Sequence, residues 1–304
     1  MSGYRSLIVN GVSLRIWQNR NAGAEAQSVL FLHGFAGCAE DFSAVFPALD
    51  KYAIIAVDLL GHGGSDAPTD SARYQMANMV LDLRALLLAL GIRQTHVVGY
   101  SMGGRIALAM AIALPSLIRS LVLESASPGL SSELERTQRR RGDDALAGWI
   151  EAEGIERFVN VWEAQPLFAS QASLDQNARM RQRMVRMAQR PHGLGGSLRG
   201  HGTGVQPSLW GRLSSVMAPV LAVSGELDAK FTRIGSAMTR LLPHAAHVVV
   251  RGVGHNIHLE RPTEFAALAV QFLAEHEHGG LDGDLHGAPS DASLLRQDPF
   301  MDSE

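Results

Sequence analysis

The sequence predicts an α/β architecture: a mostly parallel central sheet with helices on both faces and a helical insertion. Three observations carry this. Short apolar, β-branched runs alternate with longer stretches of helical periodicity, the pattern of strands joined by crossover helices. Those runs are close to continuously hydrophobic, as strands covered on both faces are. The alternation stops near residue 130 and resumes at Val220, and between those points helix follows helix.

In chain order, strands are expected at 7–17 (LIVNGVSLRIW), 28–34 (SVLFLHG), 53–59 (AIIAVDL), 96–101 (HVVGYS), 121–126 (LVLESA), 220–228 (VLAVSGELD) and 247–252 (HVVVRG). The first two are expected to pair as an antiparallel edge. Helical periodicity runs through about 75–90, through 102–114 (MGGRIALAMAIAL) and through 262–275 (PTEFAALAVQFLAE). The core is therefore expected to comprise 1–129 and 216–275. Residues 130–215 form an Arg-rich helical cap over the carboxyl edge of the sheet. The remainder, 276–304, is rich in Gly, Asp and Ser without periodicity and reads as a disordered acidic tail.

Composition narrows the function classes. The chain has 304 residues, 46% hydrophobic and 19% charged, with a formal net charge of −3, which gives no reason to expect a nucleic-acid surface. No stretch reaches about 18 uninterrupted apolar residues, so no membrane span is expected. The N-terminus lacks the basic start and long apolar core of a signal peptide. A single cysteine, Cys38, excludes an internal disulfide and suits a reducing, cytoplasmic setting. Of 27 basic residues only Lys51 and Lys230 are lysine. Residues 131–205 hold eleven arginines against nine acidic residues, a locally positive, Arg-only segment in an acidic chain. Guanidinium groups read carboxylates in bidentate fashion, so this segment is a candidate anion reader.

The chemistry centres on VVGYSMGGRI (97–106), where Gly99, Ser101 and Gly103 stand at G-x-S-x-G spacing between a strand and a helix. Such a turn lifts a serine hydroxyl above the sheet edge over a helix N-terminus. A serine there needs a base, and the base an orienting acid. SGELD (224–228) offers Asp228, with Glu226 as the alternative; GVGHNIHLERP (252–262) offers His255, with His258 as the alternative. The order Ser, acid, His matches one of the recurring arrangements. Structural or surface roles are expected for His62, His96, His192, His244 and His247. The backbone N–H of Met102 and that of Phe35, in the loop LHGFAG (32–37), are candidates for an oxyanion hole. DLLGHGGS (58–65) is Gly-rich but lacks the G-K-[ST] ending of a phosphate loop. No dinucleotide fingerprint and no metal-ligand spacing is present.

HGFAG, DLLGHGGS, GYSMGG, GELD and GVGHNIHLERP together resemble the α/β-hydrolase superfamily over residues 5–275. GYSMGGR, ESASPGL (124–130), ERTQRRRGDD (135–144), WEAQPLFAS (162–170), RMAQRPHGLGGSLRGHGTGVQPSLW (186–210) and GELDAKF (225–231) narrow it further. They resemble the 2-succinyl-6-hydroxy-2,4-cyclohexadiene-1-carboxylate synthases of menaquinone biosynthesis. That resemblance implies a lyase that expels pyruvate from 2-succinyl-5-enolpyruvyl-6-hydroxy-3-cyclohexene-1-carboxylate by 1,4-elimination, with no metal or organic cofactor. It implies Ser101 as the base that takes a ring proton, backed by His255 and Asp228. It implies Arg105, Arg139 and Arg186 as readers of a small tricarboxylate substrate, with Tyr100 and Trp162 in the pocket. Arg140 and Arg141 are alternatives to Arg139, and Arg183 and Arg190 to Arg186; Trp162 is equally explained by packing within the cap.

Two other function classes fit parts of this pattern. A carboxylesterase or carbon–carbon bond hydrolase would use the same serine, histidine and acid but favour an apolar acyl pocket over convergent arginines. A non-catalytic binding protein of this fold would have no need for Ser101, Asp228 and His255 together. Oligomeric state is not encoded in any feature of the chain.

Overall fold

The computed structural model describes residues 2–19 and 26–277. The tail expected at 276–304 lies outside the described residues from residue 278 onward. Eight strands form one sheet: β1 (Gly3–Val9), β2 (Val12–Gln18), β3 (Ser28–Leu32), β4 (Ala53–Val57), β5 (Thr95–Tyr100), β6 (Ile118–Glu124), β7 (Val220–Gly225) and β8 (Ala245–Val250). Their spatial order is β1-β2-β4-β3-β5-β6-β7-β8. Pairing is parallel from β4 through β3 to β8, and β1–β2 and β2–β4 are antiparallel.

The edge differs from the sequence expectation. The run 7–17 is not one strand but the turn region and second arm of a hairpin that begins at Gly3. Asn10 and Gly11 take φ of 47° and 80° at its turn. Asn-Gly with both residues at positive φ is the turn whose twist matches that of the flanking strands. The antiparallel edge is therefore β1, β2 and its pairing with β4, while β3 lies inside the sheet between β4 and β5.

Alternation along the buried strands divides the core in two. From β3, Leu30 and Leu32 join a cluster with Leu83, Leu87, Ile106 and Met110 on one face. Val29 and Phe31 join one with Phe42, Phe46, Phe265 and Leu273 on the other. Period-two side chains buried on both sides are what a helix-covered parallel sheet requires. Helices α1 (Met76–Ala89) and α2 (Met102–Ala113) supply the first face.

Residues between β6 and β7 contain no strand. They form α3 (Glu133–Glu163), interrupted at Gly154 (φ 81°), then α4 (Gln176–Met187) and α5 (Pro191–His201). Ala147, Ile150, Phe158, Val159, Leu194 and Leu198 make a small apolar core of their own, which closes on Ala36 and Phe35 of the loop after β3. The junction of α4 and α5 is fastened to the Gly-rich loop below it: Gln189 Oε1 accepts from Gly63 N at 3.0 Å and its Nε2 donates to Gly37 O at 3.2 Å. That loop is itself held by the buried Asp58 carboxylate, which accepts from Gly64 N, Ala39 N and Arg15 Nε. DLLGHGGS thus anchors backbone, with its carboxylate turned inward.

The remaining helices are α6 (Ala229–Thr239), the single turn α7 (Ile257–Glu260) and α8 (Pro262–Glu275). Among the described residues no helix is long and apolar enough to cross a membrane. The chain leaves β3 for β4 on one side and reaches β5 on the other. The carboxyl ends of β3 and β5 therefore flank the crevice where ligands bind in open α/β sheets.

Candidate active site

Ser101 ends β5 and caps α2 with φ 49° and ψ −104°, a backbone conformation that costs a non-glycine residue ~1–3 kcal/mol. Its surroundings impose it. A Cβ on Gly99 would stand 2.6 Å from the Gly103 carbonyl oxygen, and one on Gly103 would stand 2.0 Å from that of Leu32. Strand and helix cross too closely for any other residue at either place, and the serine between them is pushed up over the sheet edge. Its N–H donates to Glu124 O at 2.8 Å, tying the turn to β6.

The loops after β7 and β8 meet it there. Ser101 Oγ lies 3.0 Å from His255 Nε2, and His255 Nδ1 lies 2.6 Å from Asp228 Oδ2. Both partners are buried, His255 among the rings of Phe231, Tyr100 and Phe168. Asp228 also caps α6, its Oδ1 accepting from Phe231 N at 3.2 Å. The two alternatives lie elsewhere. Glu226 is exposed and accepts from Gly252 N. His258 is buried against Glu124, with Nδ1 2.6 Å from Oε2, and its ring stacks on Phe42. Glu124 also accepts from Ile257 N and His258 N, so this pair fixes the segment that follows His255.

Phe35 and Met102 both border the cavity above Ser101. Met102 is the first residue of α2, so its N–H has no acceptor within the helix. The Phe35 loop is set by His33, fully buried, whose Nε2 accepts from Leu59 N at 3.0 Å while Nδ1 faces Gly34 O at 2.7 Å. Burial pushes the His33 imidazole down to about 4, which keeps it neutral, and the Leu59 N–H on Nε2 leaves its proton on Nδ1.

The cavity measures about 240 Å3 and is roofed by residues of α3 and α5 and by Leu167 and Phe168 between α3 and α4. Tyr100 lines it with a hydroxyl whose ionisation burial pushes far up, so the phenol stays protonated. Trp162 lines it too and packs edge-on to Phe35 and against Phe158 and Phe168; the pocket and the packing roles coincide in one ring. Arg105 borders the cavity from the first turn of α2, buried, with Nη1 donating to His201 O at 2.8 Å and to Gln206 Oε1. Burial, with the nearby Arg139 charge, brings its guanidinium down to about 10, so it remains a cation at neutral pH. Arg139 reaches the wall from α3 with Nε on Asp143 Oδ1 at 2.7 Å.

Arg186 departs from the expectation. It is buried, but it is not on this cavity's wall: its guanidinium lies 5.2 Å from the Phe168 ring centroid and pairs with Glu163 at 3.0 Å. Phe168 is large enough to take the wall position, and Glu163 holds the guanidinium beside it. Arg183 pairs with the same Glu163, and Arg190 with carbonyls of the Gly-rich loop. Lys230, Phe168 and Phe231 are among the lining residues that the sequence does not single out. Lys230 and Phe231 follow Asp228 in the first turn of α6, at the same sheet edge, a placement the sequence carries. Among the described residues no group of three or more His, Cys, Asp or Glu could hold a metal ion.

Comparison with known proteins identifies the family and the fold. Residues 27–262 match the alpha/beta hydrolase fold family. The chain is 39% identical over 248 residues to a Bacillus subtilis protein provisionally named 2-succinyl-6-hydroxy-2,4-cyclohexadiene-1-carboxylate synthase, covering 82% of this chain and 90% of that one. It is 33% identical over 250 residues to the Salmonella typhimurium (strain LT2) protein bearing that name, covering 81% and 93%. The solved structure of MenH from S. aureus superposes with a TM-score of 0.82 at 35% identity, covering 86% of this chain and 98% of that one. A thermophilic esterase from Thermogutta terrifontis, 23% identical with a TM-score of 0.76, shares the fold alone. The chain belongs to the 2-succinyl-6-hydroxy-2,4-cyclohexadiene-1-carboxylate synthase family of the α/β-hydrolase fold.

Proposed function

We propose that this chain is a carbon–oxygen lyase of menaquinone biosynthesis. It expels pyruvate from 2-succinyl-5-enolpyruvyl-6-hydroxy-3-cyclohexene-1-carboxylate and leaves 2-succinyl-6-hydroxy-2,4-cyclohexadiene-1-carboxylate. One observation carries the reading: a continuous Ser101–His255–Asp228 hydrogen-bond line opens into a cavity walled by Arg105 and Arg139, with no carboxylate among its lining residues. Such a wall suits a polyanion and is poorly matched to the acyl chain of a simple ester.

Ser101 Oγ takes the proton from the ring carbon beside the succinyl ketone as its own proton passes to His255 Nε2. Asp228 accepts from Nδ1–H and steadies the imidazolium. The C–H electron pair enters the ketone as an enolate, whose oxygen is met by the N–H groups of Phe35 and Met102. The enolate collapses back to the ketone, a new double bond forms from the deprotonated ring carbon to its ring neighbour, the existing ring double bond moves one place on, and the bond from the ring to the enolpyruvyl oxygen breaks with its electron pair on that oxygen. The departing group is the enolate of pyruvate, which takes a proton on its methylene carbon and becomes pyruvate, while the His255 imidazolium gives up the proton it holds and the site returns to its starting state. A positioned general base contributes ~100- to 10,000-fold and a single oxyanion donor a similar order. Arg105 and Arg139 orient the substrate and neutralise repulsion among its anions. Arg186, one ring removed, adds positive potential behind Phe168, partly cancelled by Glu163.

The single buried cysteine fits a cytoplasmic site for this reaction. Continuous detection of pyruvate from the enolpyruvyl substrate tests the reading. Saturable turnover of p-nitrophenyl acetate with no pyruvate release assigns the same residues to hydrolysis instead.

A further inference from the structure

We propose that Lys230 is a specificity-determining residue that receives one carboxylate of the substrate at the cavity mouth; the inference deepens the lyase reading and rests on it. The wall carries three cations, Arg105, Arg139 and Lys230, and no acidic residue. Arg105 and Arg139 are each engaged by the protein, through His201 O and Gln206 and through Asp143. Lys230 has no ion pair among the described residues. The chain's other lysine, Lys51, pairs with Glu277 at 2.7 Å.

Lys230 is placed by the site itself. It is the second residue of α6, whose cap is Asp228. Its ammonium lies 5.6 Å from the Phe231 ring centroid, and that ring lies 4.6 Å from the ring of His255. One phenyl ring therefore separates an exposed, unpaired cation from the imidazole that handles the proton. Arg186 lies over the Phe168 ring, off the cavity wall, and is tied to Glu163, so a substrate with three carboxylates meets Lys230 as the third cation of the wall. A flexible ammonium at the mouth gives a point charge that follows a mobile carboxylate, where the fixed fork of an arginine would demand one orientation.

The test uses the full chain and three variants: Lys230→Ala, Lys230→Gln and Lys230→Arg. A charge-assisted hydrogen bond supplies ~1.5–3 kcal/mol, so Ala and Gln are expected to raise KM for the enolpyruvyl substrate about ten- to hundred-fold with little change in kcat. Arg is expected to restore most of the loss, and the fall of kcat/KM with added salt is expected to be shallower in Ala and Gln. Inhibition by pyruvate and by succinate distinguishes which carboxylate is held, since only the matching inhibitor weakens in the variants. Calorimetric binding of propane-1,2,3-tricarboxylate reads the site without turnover. A wild type that releases no pyruvate sinks the lyase reading and the substrate assigned here, while probe binding that weakens in Ala and Gln still supports a carboxylate contact at Lys230. Unchanged KM and salt dependence in Ala and Gln overturn it, as does probe binding that is absent or indifferent to Lys230.

Discussion

Asp228 faces two ways, one carboxylate oxygen 2.6 Å from His255 Nδ1 and the other accepting from Phe231 N as the cap of α6. Orienting the His255 imidazole and starting the helix that carries Phe231 onto its ring are therefore one act. The two roles separate by substitution. Asn caps a helix as well as Asp but offers the wrong hydrogen-bonding partner to Nδ1–H. Asp228→Asn should cut kcat by a factor on the order of 1,000 or more while leaving the thermal midpoint close to that of the wild type. Asp228→Ala should lose both, with ~1 kcal/mol of stability gone; kinetics and calorimetry on the pair read the difference.

Arg105 and Arg139 should fail differently. Arg105 is buried and donates to His201 O and Gln206 Oε1, so Arg105→Ala strands two acceptors and should cost ~1–3 kcal/mol of stability as well as substrate affinity. Arg105→Lys keeps the charge without the fork and should still lower kcat/KM at least ten-fold. Arg139 is about half exposed and pairs within one helix with the buried Asp143, which also accepts from Gly204 N. Its alanine variant should raise KM with a smaller stability loss than Arg105→Ala, because Asp143 keeps one donor while losing its counter-charge. Thermal melts beside steady-state kinetics check both.

Stability should fall as pH drops below about 6. Burial holds His33 and His96 down to about 4 and His62 and His201 down to about 3, below the ordinary histidine range. Between those values and about 6.5 the unfolded chain binds protons that the folded chain refuses, so stability is full above the window and is lost as pH falls through it. Each such histidine removes about 1.4 kcal/mol per pH unit. Asp41 opposes this: burial pushes its carboxyl up to about 6, so the folded state takes a proton first and offsets roughly one histidine. Urea midpoints measured from pH 7 to 5 should decline; a flat profile would mean these histidines are already charged or hydrated in the fold.

Much of this was legible because it is local. The serine turn needs only a strand, two glycines that cannot bear a Cβ and a helix start, all within ten residues. Asp228 and His255 each lie in the loop that follows a parallel strand, so both fall at the same sheet edge. The hairpin at residues 3–18 was missed although Asn10–Gly11 signals it, because the apolar residues on both sides read as one run. Three features are non-local and could not be read from neighbours in the chain. β3 lies inside the sheet; His258 meets Glu124 across 134 residues; Arg186 meets Glu163 across 23. Charge composition points to an anion-reading segment as a class, but which guanidinium reaches the cavity depends on how α3 and α4 pack.

Pyruvate release from the enolpyruvyl substrate, followed continuously for the wild type and for Ser101→Ala, bears most directly on the central claim. The account predicts saturable release by the wild type and a fall of ~100-fold or more in the variant, which keeps the fold and the cationic wall but has no oxygen to take the ring proton. Release that is undiminished in Ser101→Ala would contradict it, because the cavity would then be eliminating pyruvate without the serine that the whole sheet edge is built to present.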